Sequence, residues 1–150
     1  MANEKELNLN IEIKSCSASA KLSHLLIDNL IIALKELAPE RELIISSFNH
    51  LVLSEFKRKS PQTKIACLFE SHNLWDDWNS IIEWCEADYI HPEEKGLTRE
   101  MVQKFKASGI KVNVWTVNDL ARANELFNWG VDGICTDIAH KFPSKYKAQK

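Results

Sequence analysis

Residues 110–140, IKVNVWTVNDLARANELFNWGVDGICTDIAH, leave this chain few folding options. Ile110, Val112, Val114 and Thr116 alternate with Lys111, Asn113, Trp115 and Val117, the period of two expected of a strand. Asn118 stands where a helix N-cap is expected. Leu120, Ala123, Leu126 and Phe127 supply an apolar stripe, and Gly130 sits where helices stop. Val131 to Thr136 reads as a second short strand, ended by Asp137. Strand, helix and strand in this order make a βαβ unit, whose strands run parallel through a right-handed crossover. Polar residues cluster where each strand stops: Thr116 and Asn118, then Thr136 and Asp137. Parallel α/β folds place their chemistry at that end.

The rest of the chain repeats the alternation. Strands are predicted over Leu7–Ile13, Glu42–Ser46, Lys64–Phe69 and Asp88–His91. The first helix is expected over Leu22–Leu37, with Leu22, Leu25, Leu26, Asn29, Leu30, Ala33 and Leu37 on one face, Ser23 as cap and Pro39 as stop. A second helix runs from Phe48 to Lys59, ahead of Ser60-Pro61, and a Trp-rich helix follows through Trp84. There Trp78 and Ile82, and Ile81 and Trp84, are spaced to share an apolar, structural face. Pro92–Leu97 is a loop, and Thr98 caps a helix to Ser108. About six strands alternating with helices, without a linker, make one α/β domain over residues 1–150. Periodicity alone leaves a barrel and an open wound sheet both standing.

Composition excludes several partners. A chain of 150 residues with 45% hydrophobic and 27% charged residues suits a soluble globular domain. It is shorter than the roughly 250 residues of a complete eight-stranded barrel. A net charge of -2 argues against nucleic acid and anionic membranes, and the Lys57-Arg58-Lys59 cluster and Lys145–Lys150 tail read as solvated ends. No apolar run is long enough to span a bilayer, and MANEKEL is no signal peptide. Cys16, Cys67, Cys85 and Cys135 are too scattered for a zinc site or a disulfide framework, which points to the cytoplasm.

In LNLNIEIK, Glu12 and Lys14 lie two apart and share a face, opposite Ile11 and Ile13. A carboxylate beside an ammonium at a strand end can hold a cation and a phosphate together. The same pattern, with Asn8 and Asn10, also describes an amphipathic strand with one wet side. The residues leave both readings open. His91 at a strand end and Trp115 in a strand have similarly plain alternatives, as satisfied or core side chains.

VWTVN, a helix, then GVDGICTD resembles the last two βα units of the glycerophosphodiester phosphodiesterase family, a TIM-barrel family. IEIK resembles that family's third strand, Ser46-Ser47-Phe48 the Ser-Phe pair ending the next, and Tyr89-Ile90-His91-Pro92 the segment before VWTVN. The resemblance implies a partial β/α barrel covering the last six of eight units. It implies that Glu12 is a ligand to a divalent metal, Mg²⁺ or Ca²⁺, and that Lys14 binds phosphate. Trp115 becomes a pocket wall, Asn118 a polar contact at its mouth, and Phe48 and His91 further substrate contacts. With Ser47, these residues are expected at the carboxyl edge of a parallel sheet.

The family's His-Arg-Gly and Glu-x-Asp segments have no counterpart here, and His24, His50, His72 and His140 occur in other contexts. The resemblance therefore implies metal-dependent hydrolysis of glycerophosphodiesters to an alcohol and glycerol 3-phosphate, by a chain inactive alone. Such a chain self-associates or pairs with a missing N-terminal piece. The alternatives are a non-catalytic barrel remnant serving as an interaction module, and a sphingomyelinase D-like phospholipase.

Overall fold

The computed structural model describes residues 7–15 and 19–142; Cys16, MANEKE and the Lys145–Lys150 tail lie outside them. Among the described residues six strands alternate with helices in an α/β fold of the β/α-barrel type: β1 (Leu9–Glu12), α1 (Ala20–Leu34), β2 (Leu43–Ser47), α2 (His50–Lys59), β3 (Lys64–Phe69), α3 (Trp78–Cys85), β4 (Tyr89–Pro92), α4 (Arg99–Ala107), β5 (Lys111–Val114), α5 (Leu120–Trp129) and β6 (Gly133–Ile134). Two compact units share them, Met1–Cys67 with Ile81–Ala87, and Leu68–Ser80 with Asp88–Lys150.

In the first unit β1, β2 and β3 pair in parallel. Ile11 sits opposite Ile45 and Ile45 opposite Ile65, while Glu12, Ser46 and Ala66 align one residue on. Alternation therefore puts the isoleucines on one face and Glu12, Ser46 and Ala66 on the other. Ile45, Ile65, Leu53 and Phe56 are fully buried. Asn49 caps α2 by accepting from the Val52 N–H at 3.2 Å. Each residue of the basic cluster at the end of α2 has a partner, although Arg58 stays largely exposed to solvent. Lys57 Nζ donates to the Thr63 carbonyl, Arg58 makes a two-pronged contact with Glu55, and Lys59 pairs with Asp28 of α1. The Arg58 hydrogen bond is the main reason that the half-buried Glu55 carboxyl is held down to about 2.

Helix α1 departs from expectation in two ways. Its cap is Ser19, which accepts from the Leu22 N–H, whereas Ser23 Oγ donates back to the Ser19 carbonyl. Its inward residue is Ile27, 1% exposed, whereas Leu22, Leu25 and Leu26 are exposed. The helix carries apolar residues on both sides, so the stripe with the regular spacing is not the one that packs.

In the second unit β4, β5 and β6 are parallel, with Tyr89 opposite Lys111, Ile90 opposite Val112 and Asn113 opposite Gly133. Ile90, Val102, Phe105, Val112, Val114, Ala123 and Leu126 form its core. Thr98 caps α4 as expected. For α5 the cap is Asp119 rather than Asn118: its side chain accepts from the Arg122 N–H at 2.7 Å. Gly130 ends α5 with φ 102°, a conformation open to glycine at little cost. β6 shrinks to two residues, and a Cβ at Gly133 would lie 2.7 Å from Asn113 Oδ1, so the close approach there requires glycine. Trp78 packs edge-on against Phe105, with ring centroids 4.7 Å apart. Trp84 is 79% exposed, so it does not join the apolar face that the spacing predicted.

Candidate functional site at the carboxyl ends of the strands

Glu12 is the last residue of β1, on the same face as Ser46, and its side chain is exposed. Lys14 follows two residues later, also exposed. Ser46 is 1% exposed, and its Oγ has no hydrogen-bond partner among the described residues. Its neighbour faces the opposite way and is fully used. Ser47 Oγ donates to the Ile13 carbonyl at 2.6 Å and accepts the Asn49 N–H at 3.0 Å, tying the end of β1 to the start of α2. Asn49 Nδ2 adds a bond to Ser15 Oγ. The loop that carries Lys14 is thus braced at two points. Phe48, between Ser47 and the cap, is 42% exposed.

In the second unit His91 lies within β4 and is 1% exposed. Asn113 Nδ2 is 3.2 Å from His91 Nε2, and Trp115 Nε1 donates to the His91 carbonyl at 2.8 Å. Nδ1 of His91 has no partner among the described residues. Burial alone pushes the His91 imidazole down to about 4, so the ring is neutral near pH 7. Trp115 is half-buried and also receives backbone anchoring, since its carbonyl accepts the Glu94 N–H at 2.7 Å. Asn118 is an exposed junction. Its Oδ1 accepts from Thr136 Oγ1 and the Asp137 N–H, and its Nδ2 donates to Asp137 Oδ2 at 2.8 Å. Three of the four polar residues noted at the two strand ends, Asn118, Thr136 and Asp137, are therefore joined through this amide.

Three structural supports were missed in the sequence. Arg122 of α5 reaches the loop after β4, bonding the Glu94 carboxylate and the carbonyls of Glu94 and Leu97. The Ser71 N–H donates to Glu93 at 2.9 Å, which is the main cause of the lowered Glu93 carboxyl. Asn113 is the partner of His91. An Arg 28 residues from the loop Glu that it meets carries no short-range signal, and the Asn113–His91 contact depends on strand register.

The metal expectation meets a limit in the donor set. Among the described residues no group of three or more His, Cys, Asp or Glu side chains is placed to hold a metal ion. A hard divalent cation takes about six oxygens, and Glu12 supplies one carboxylate. These residues do not make a complete centre.

Comparison with known proteins gives the architecture a context. Residues 1–141 match the Glycerophosphoryl diester phosphodiesterase family. A glycerophosphodiester phosphodiesterase of Caldanaerobacter subterraneus subsp. tengcongensis is 35% identical over 137 residues, covering 91% of this chain and 54% of that protein. An uncharacterized protein of Bacillus subtilis, YqiK, is 30% identical, covering 93% of this chain and 56% of its own length. A solved phosphodiesterase of Oleispira antarctica, in complex with the product sn-glycerol-3-phosphate, superposes with a TM-score of 0.84 at 26% identity, covering 92% of this chain and 54% of that one. The chain spans little more than half the length of these relatives. With the match running through 141 of 150 residues, the chain belongs to the glycerophosphoryl diester phosphodiesterase family.

Proposed function

We propose that this chain is the C-terminal portion of a single-domain, metal-dependent glycerophosphodiester phosphodiesterase, hydrolysing a glycerophosphodiester to an alcohol and glycerol 3-phosphate. The carrying observation is the family match over residues 1–141, with Glu12 and Lys14 exposed at the carboxyl end of β1. The glycerol-3-phosphate bound by the Oleispira phosphodiesterase supports the product class. Lys14 supplies a charge-assisted contact to the phosphate, stronger in the transition state as negative charge builds on the equatorial oxygens. Glu12 contributes one carboxylate to a Mg²⁺ or Ca²⁺ centre that other residues complete. Trp115, held by His91, walls the substrate site, and Phe48 and the neutral His91 add contacts to the substrate. Asn118 fixes the loop at the mouth.

Acid–base groups and the remaining metal carboxylates would come from the family's first two βα units, so this chain is inactive alone. The free thiols of Cys67, Cys85 and Cys135 accord with a reducing, cytoplasmic setting. Among the described residues no helix is long and apolar enough to cross a membrane.

The test is release of choline from glycerophosphocholine, with and without Mg²⁺ or Ca²⁺. The 150-residue chain should show no turnover, and the chain joined to the first two βα units of the Caldanaerobacter relative should show metal-dependent turnover. Turnover by the chain alone would assign the chemistry to other residues, and a silent completed barrel would favour the non-catalytic remnant.

A further inference from the structure

We infer that Cys67 and Cys85 form a reversible oxidation site, at which a small hydroperoxide converts Cys85 to a sulfenic acid and Cys67 then closes a disulfide onto it. The site lies wholly within the first compact unit and is independent of the proposed phosphodiester hydrolysis. Cys67 lies in β3 and Cys85 is the last residue of α3, with 0% and 2% of their surfaces exposed. Both thiols are free, and they hydrogen-bond to each other. From that contact, a disulfide requires the sulfurs to close to about 2.0 Å. Cys85 has freedom to make the approach. The chain leaves α3 through Glu86 at φ 53°, so no further helical turn holds Cys85 in place.

The two thiols differ in what they face. Cys85 lines a cleft of about 410 Å³ together with Lys57, Arg58, Trp84 and Glu86, and Cys67 is not part of that lining. Hydrogen peroxide is little larger than a water molecule, whose share of liquid volume is about 30 Å³. The cleft therefore admits the oxidant to Cys85 and not to Cys67. Lys57 and Arg58 bring two cations to the lining against the Glu86 carboxylate, although Glu55 offsets Arg58. Nearby cations favour the thiolate, which is the form that attacks peroxide. The bond between the thiols acts in the same direction. It lowers Cys85 and raises Cys67, so Cys85 is the attacking sulfur and Cys67 stays protonated beside it.

The chemistry balances in two steps. The Cys85 thiolate attacks one peroxide oxygen, an S–O bond forms, the O–O bond breaks, and the departing hydroxide takes up a proton. Cys67 sulfur then attacks the sulfenic sulfur, the S–S bond forms and the S–O bond breaks. The Cys67 proton leaves with the hydroxyl as water. Two thiols give up two electrons and one hydrogen peroxide accepts them, yielding one disulfide and two waters. Oxidation also costs the bond that Cys85 Sγ donates to the His50 carbonyl at 3.4 Å. A dithiol reductant reverses the reaction, and in a reducing compartment a bond of this kind is transient.

The experiment treats the folded 150-residue chain with a modest excess of hydrogen peroxide, blocks remaining thiols with iodoacetamide, and maps disulfides by peptide mass spectrometry without reduction. A Cys67–Cys85 disulfide is expected, at least about tenfold more abundant than any pair that includes Cys16 or Cys135, and lost on treatment with dithiothreitol. Cys67→Ser removes the resolving thiol, so Cys85 should accumulate as a sulfenic acid that dimedone traps. Cys85→Ser should leave Cys67 unmodified under the same conditions. Circular dichroism establishes that each variant is folded, and the wild-type map decides the matter if one is not. A folded wild-type chain without the Cys67–Cys85 disulfide, a disulfide that forms only in urea, or dimedone trapped at Cys67 of folded Cys85→Ser would each overturn the inference.

Discussion

Asn113 Nδ2 meets Nε2 of His91 at 3.2 Å across two parallel strands, inside a site where the histidine is 1% exposed. An amide nitrogen only donates, so Nε2 accepts and the ring proton resides on Nδ1. The pair thus fixes one neutral tautomer, and neutrality has a thermodynamic consequence.

Burial holds His91 down to about 4, against an unfolded value near 6.5. Between those values the unfolded chain binds a proton that the folded chain refuses, so stability falls as pH drops through this window. Above about pH 6.5 His91 adds no slope, and by pH 4 it has cost on the order of 3 kcal/mol. Urea denaturation from pH 8 to pH 4 should show this loss, and His91→Gln should remove most of it. An unchanged slope in His91→Gln would assign the titration elsewhere.

Ser46 and Ser47 are adjacent, equally buried and opposite in consequence. Ser47→Ala orphans the Ile13 carbonyl and the Asn49 N–H from their shared hydroxyl, and should cost about 1–3 kcal/mol. Ser46→Ala removes a buried hydroxyl without a partner among the described residues, and should be neutral within about 0.5 kcal/mol or stabilising. Denaturant midpoints of the two variants check the contrast. A larger loss from Ser46→Ala would mean that its hydroxyl is bonded.

The parallel fold was legible because each link in the VNDLARANELFNWGVDG stretch has a local cause: alternating strand, cap, stripe, then Gly130. The cap itself slipped by one residue because Asn118 and Asp119 are both competent acceptors, and only the bonds of Asn118 to Thr136 and Asp137 decide between them. The inward face of α1 was misread for a different reason. Leu22, Leu25 and Leu26 keep helical spacing as well as the residues around Ile27 do, and periodicity locates a stripe without saying what covers it. At the candidate site, Glu12 and Lys14 were visible from alternation. The bracing of His91 by Asn113 was not, since strand register across 22 residues has no local signature.

Cys67 and Cys85 should differ in reactivity although both are buried. They hydrogen-bond to each other, and that bond is the main cause raising the Cys67 thiol and lowering that of Cys85. Cys85 also donates to the His50 carbonyl at 3.4 Å. The thiolate is the nucleophile, so iodoacetamide at pH 8 should label Cys85 before Cys67. Peptide mass spectrometry reads the order, and Cys67 should react at a comparable rate only in denaturant. Equal labelling in the folded chain would contradict the asymmetry.

The tryptophans of the α3 region should separate by contact. Trp78→Ala removes the edge-on packing against Phe105 and should cost about 2–3 kcal/mol. Trp84→Ala, at a position 79% exposed, should stay within about 0.5 kcal/mol. Thermal melts of the two variants test this. A Trp84→Ala loss as large as that of Trp78→Ala would show that Trp84 is covered in solution.

Glu12 and Lys14 share one strand end but should fail differently in the completed barrel. Glu12→Gln keeps size and removes a charge, so it should raise the Mg²⁺ or Ca²⁺ concentration needed for half-maximal turnover by about 10-fold or more. Lys14→Met keeps the aliphatic stem and removes the ammonium. Its contact strengthens as charge develops on phosphorus, so kcat/KM should fall by about 10²–10³ while the metal requirement is unchanged. Metal titrations of choline release separate the two roles. A Lys14→Met enzyme rescued by added metal would mean that Lys14 acts by organising the cation site, and the assignment of phosphate to Lys14 would have to be abandoned.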